Sequence, residues 1–86
     1  MKRAEILDTA KEYVTQDRQA THGKPEDTFG LIAAYWSAHL DTNISAVDVC
    51  AMMGLLKLAR AKQNPANSDN WIDLAGYSAC AAELAE

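Results

Sequence analysis

Apolar positions recur at helical spacing along most of the chain and divide it into four segments. Ile6, Ala10, Tyr13 and Val14 follow one another at core-facing intervals, which predicts a first helix from about Lys2 to Gln16. A polar run, Asp17 to Asp27, then breaks the pattern, and Gly23-Lys24-Pro25 closes the loop. Pro25 suits the first position of a second helix, where its missing N–H costs nothing. Glu26 and Asp27 follow in the first turn, where negative charge meets the positive end of the helix dipole. This helix continues through Phe29, Ile32, Tyr35, Trp36 and Leu40 to a turn at Asp41-Thr42-Asn43. Ser45-Ala46-Val47-Asp48 reads as a capping box, with Asp in the place usually held by Glu. The third helix, about Ala46 to Lys62, is apolar almost all round, which predicts a central position in a bundle or a place at a subunit interface. After a loop from Gln63 to Ser68, a fourth, alanine-rich helix is expected from near Asp69 to about Leu84. The expected fold is all-α, a single four-helix domain over residues 1–86.

Composition adds an expectation about assembly. A domain of 86 residues buries only about 60–65% of its unfolded surface. Alanine dominates the apolar set, and small side chains supply little area each, so a homo-oligomer is expected to complete the core. The net charge of −4 argues against non-specific binding to duplex nucleic acid, which needs a basic footprint. Cys50 and Cys80 sit inside helical patterns without a Cys-x-x-Cys spacing, as buried free thiols do. No leader-like segment and no membrane-spanning apolar run is read, so a cytoplasmic location and no membrane partner are expected.

Candidate chemistry gathers in two polar islands, Asp17–Asp27 and Asp69–Tyr77, with Lys57 and Arg60 between them. Asp73 is the sharpest single residue: at about 100° per residue it shares a stripe with Tyr77, Cys80 and Leu84. A carboxylate heading an apolar stripe is expensive to bury unless it pairs or binds a cation. Asp69, one turn earlier, either caps the helix or joins Asp73 in holding a divalent metal such as magnesium. Lys57 and Arg60 share a face of the third helix and suit a phosphate, a carboxylate, or an ion pair with Asp73 or Asp69. Asp48 lies on the opposite side from Lys57, which favours a capping role. Arg18, Gln19, His22 and Lys24 offer donors in a loop before a helix N-terminus, an anion-attracting end. Asn70 is a further polar candidate, Trp71 and Tyr77 are candidates for stacking on a base, and Tyr35 and Trp36 read as core anchors. No nucleophilic triad can be placed, so no catalytic residue is assigned.

The run Asp17-Arg18-Gln19, Gly23-Lys24-Pro25-Glu26-Asp27-Thr28-Phe29 and Trp36-Ser37-Ala38 resembles an uncharacterised family of small phage and prophage proteins. So do Val47-Asp48-Val49, Met52-Met53, Leu56-Lys57-Leu58-Ala59-Arg60 and Asp69-Asn70-Trp71-Ile72-Asp73-Leu74-Ala75-Gly76-Tyr77, so that the resemblance covers nearly the whole chain. The pattern is also loosely similar to all-α nucleoside triphosphate pyrophosphohydrolases of the MazG-like kind, whose acidic residues surround magnesium. The signature Glu-Glu-x-x-Glu followed by Glu-x-x-Asp is absent, and Glu26, Asp27, Asp69 and Asp73 are the stand-ins. The leading expectation is a phage-encoded binder of a nucleotide or other phosphorylated small molecule that sequesters a host defence signal. Arg18, Lys24, Lys57 and Arg60 would hold phosphate in that reading. A magnesium-dependent pyrophosphohydrolase is the alternative, and a protein-binding inhibitor of a host factor, with no small-molecule site, is the third reading.

Overall fold

The computed structural model describes residues 1–17 and 23–86. Among the described residues there are four α-helices: α1 (Arg3–Glu12), α2 (Pro25–Leu40), α3 (Ala46–Gln63) and α4 (Ser68–Leu84). The predicted first helix is shorter as an α-helix, because a π-helical turn, Tyr13–Asp17, takes over after Glu12. Thr15 sits inside that turn and its hydroxyl donates to the Lys11 carbonyl at 2.6 Å. A β-branched residue that bonds back one turn favours local bending over a regular helix. At the other boundaries the caps match the local chemistry. Pro25 opens α2 behind Lys24, and Asp41 closes it in the left-handed region at φ 51°. Ser45 and Asp48 form the expected capping box: the Asp48 N–H donates to Ser45 Oγ at 3.0 Å and the Ser45 N–H to Asp48 Oδ2 at 2.9 Å. Those bonds, the backbone one foremost, hold the Asp48 carboxyl below its usual pKa.

α3 packs most extensively on α4, while α2 lies against α3 and α1 against α4. Two glycines set the helix spacing. A Cβ on Gly54 would meet Leu74 Cδ1 at 3.2 Å, and one on Gly76 would meet Val14 Cγ1 at 3.0 Å, so small residues allow α3 and the π turn to close on α4. The core is built on Phe29, Ala33, Val49 and Cys50, with Ile32, Trp36, Met53, Tyr77 and Cys80 packed around them. Ser37, near the end of α2, ties that helix to the connection before α3, its hydroxyl accepting from the Ile44 N–H at 2.9 Å and donating to the Ile44 carbonyl at 3.1 Å.

Two expectations need correction. Tyr35 is not a core anchor: it is 64% exposed, because it falls on the face of α2 turned away from Phe29 and Ala33. Of the two places expected for α3, the centre of the bundle and a subunit interface, the first is not met within the chain. One face is buried through Val49, Cys50, Gly54 and Ala61, whereas Met52, Leu55, Leu56 and Leu58 all stand exposed. The radius of gyration, 13.4 Å, exceeds the roughly 12 Å of a closely packed chain of this length. The principal extents, 41 × 30 × 25 Å, show that the excess comes from elongation, and α3 is covered on one face and open on the other. No helix among the described residues is long and apolar enough to cross a membrane.

Candidate functional site

α4 delivers Asp73 toward α3, where the Lys57 ammonium meets it with Nζ 2.9 Å from Oδ2. Both side chains are largely withdrawn from water, at 16% and 20% exposure. A charge in that position needs its partner, since removing either one leaves the other desolvated and uncompensated. This pair answers the question posed by a carboxylate on an apolar stripe: the cation is Lys57.

Asp73 also lines a cavity of about 270 Å³ between the π turn, the start of α2 and α4. Its wall is largely apolar, with Tyr13, Thr28, Phe29 and Tyr77 beside the carboxylate. The Phe29 and Tyr77 rings stand 5.9 Å apart, centroid to centroid, tilted by 56°, a geometry favourable to aromatic pairs. Gly23 and Pro25, from the described end of the first polar island, line the same cavity. A neighbouring cavity of about 390 Å³ runs between α1 and the C-terminal half of α4. The two share Ala10, Val14, Pro25, Gly76 and Cys80. Burial pushes the Cys80 thiol pKa up, helped by Glu83 and Glu26, and pushes that of Cys50 up to about 11, with Cys80 adding to it. Both thiols are therefore neutral at physiological pH and poor nucleophiles.

The other candidates disperse. Arg18, Gln19 and His22 lie outside the described residues. Lys24 is exposed just before α2, and Arg60 is exposed in the last turn of α3. Asn70 is buried in the first turn of α4. Trp71 lies outside both cavities, and its indole N–H donates to the Pro65 carbonyl at 2.9 Å, bracing the α3–α4 loop. Asp69 is not the cap: Asn67 is, its side-chain oxygen accepting from the Asp69 N–H at 3.1 Å. That leaves the Asp69 side chain exposed while Asp73 is engaged by Lys57. Among the described residues no three of His, Cys, Asp and Glu converge. Tyr13 and Thr28 enter the cavity wall without having been singled out as site residues. The irregular turn that carries Tyr13 has no spacing signal beyond the β-branched pair Val14-Thr15.

A family model for a domain of unknown function, DUF6378, matches residues 5–85. The chain belongs to this family. It is 35% identical over 81 residues to the Gene 55 protein of Mycobacterium phage D29, covering 94% of this chain and 54% of that protein. It is likewise 35% identical over 74 residues to the Gene 55 protein of Mycobacterium phage L5, covering 85% of this chain and 47% of that protein. The chain thus spans about half the length of the curated relatives it matches. No solved structure matches it. A phage protein family of unknown function was expected, and to that extent the comparisons agree.

Proposed function

We propose that this chain binds a nucleotide or a closely related phosphorylated small molecule, with the ring in the cavity beneath Tyr13, Phe29 and Tyr77. One observation carries the reading: a single carboxylate, Asp73, held by Lys57, stands in the wall of an otherwise mostly apolar, aromatic-sided cavity. Apolar pockets with a few convergent polar groups are the usual form of small-molecule sites. The carboxylate is an acceptor for the amino and ring N–H groups of a base, and its ion pair with Lys57 fixes its orientation. At about 270 Å³ the cavity takes one ring system, which leaves the phosphates outside, toward Lys24 and the start of α2. Arg18 and Arg60 are the further phosphate-holding candidates. In an infected cell such a protein would sequester a nucleotide signal used by host defence, a role in keeping with its phage relatives.

The test is a thermal-shift and calorimetric screen over mono-, di- and cyclic nucleotides, with and without magnesium. Stabilisation by one of them without turnover, weakened in Asp73→Asn, is the expected result. Release of pyrophosphate, abolished by the same substitution, would move the reading to the MazG-like alternative. If no nucleotide shifts the melting temperature, both small-molecule readings fail and a role in blocking a host protein is left.

A further inference from the structure

The open side of α3 carries a pattern that the nucleotide reading does not use. Asp48, Ala51, Met52, Leu55, Leu58, Ala59 and Lys62 are all exposed. At about 100° per residue they fall within one face about 120° wide, centred on Leu55. The face is symmetric in its chemistry. Met52 and Leu58 stand three residues before and after Leu55, Ala51 and Ala59 four, and the opposite charges Asp48 and Lys62 seven. This is heptad-like spacing, an apolar seam with a charge at each end. We infer that a second copy of this chain docks here, the two α3 helices running antiparallel about a two-fold axis through Leu55.

In that arrangement each residue meets its mirror position. Leu55 packs on Leu55 of the second copy, Met52 on Leu58, and the alanines let the backbones approach. Asp48 of each copy faces Lys62 of the other at both ends. A two-fold contact requires such self-complementarity, and a parallel pairing would bring like charges together instead. Charge complementarity therefore selects both the partner and the orientation, although the chain as a whole carries −4. Leu55, Leu58 and Met52, exposed by 65%, 45% and 40%, would leave water together. An 18-residue helix is about 27 Å long. One seam of that length falls short of the roughly 800 Å² per partner of a standard interface, so the dimer is of the reversible, concentration-dependent class. Lys57 lies on the other side of α3, with Asp73, so the seam and the cavity are separate.

Analytical ultracentrifugation of the whole chain over a concentration series tests this. A monomer–dimer equilibrium is expected. Leu55→Glu and Lys62→Glu should each move its midpoint to about tenfold higher concentration or more. Leu31→Glu, on an exposed apolar position of α2, should leave it unchanged. Circular dichroism should show full helicity in all three, since the altered side chains are exposed. Leu55→Cys should form a disulfide-linked dimer on mild oxidation, because residue 55 of both copies meets on the axis. The inference is overturned if the wild-type chain stays monomeric to millimolar concentration, which would leave the face to a different protein. It is equally overturned if a dimer forms that ignores Leu55→Glu, or that Leu31→Glu breaks as readily. Nucleotide binding, read separately, bears on neither result.

Discussion

The two faces of α3 are almost equally apolar and have opposite fates. Val49 and Cys50 are sealed against α2 and α4, while Leu55, about a turn and a half further on and larger, stands mostly in solvent. Hydrophobicity alone does not separate them. What separates them is the supply of neighbours: α2 and α4 cover only one side of α3, and Gly54 lets α4 close on that side. The contrast shows that an all-round apolar helix in a small domain marks more surface than one chain can bury.

Substitutions on the two faces should sharpen that contrast. Val49→Ala, at a fully buried position, should cost about 2–3 kcal/mol in chemical denaturation through lost methyls and a residual cavity. Lys57→Ala leaves Asp73 uncompensated at about one-fifth exposure, and should cost about 1–2 kcal/mol, with stability recovered in part by Lys57→Met paired with Asp73→Leu. Ser45→Ala removes the acceptor of the α3 cap, for about 1 kcal/mol. Leu55→Ala, measured at a concentration where the chain is monomeric, should lie within about 0.5 kcal/mol of wild type. A large loss there would mean that the exposed face has a partner within the chain, and the contrast would break.

The smallest effect is a pH dependence at the start of α3. Its hydrogen bonds with Ser45 hold the Asp48 carboxyl below the ordinary value of an aspartate in the folded chain, so the folded state holds its proton less tightly than the unfolded one. Its contribution to stability is present above the unfolded pKa and disappears as pH falls through the folded one. Denaturation curves of wild type and Asp48→Asn should therefore converge toward strongly acidic pH and separate above about pH 4. Curves that stay parallel throughout would remove the cap from the account.

Most of the helix plan was legible from local chemistry. Pro25 with its acidic first turn, and Ser45 with Asp48, mark two helix starts that the structure reproduces. For the cap of α4 the chain offers two good acceptors, Asn67 and Asp69, and only backbone geometry selects Asn67. The site was half legible. Asp73 demanded a cation, and Lys57 and Arg60 were the candidates on the right helix. Nothing in their spacing along α3 decides between them, and the rotation of α3 against α4 brings Lys57 in while leaving Arg60 in solvent. Trp71 reads as a stacking aromatic from its neighbours in the chain, yet its N–H is spent on Pro65 across a loop.

What the sequence determined by itself is what depends on contacts a few residues apart: helix starts, caps, the all-α class, and the need of Asp73 for a counter-charge. The tertiary structure alone decided which face of α3 is covered, which cation meets Asp73, and that Tyr13, Phe29, Asp73 and Tyr77 share one cavity. The physical reason is range. Capping and periodicity are written in adjacent side chains, whereas helix rotation and spacing follow from where small residues such as Gly54 and Gly76 let distant segments approach.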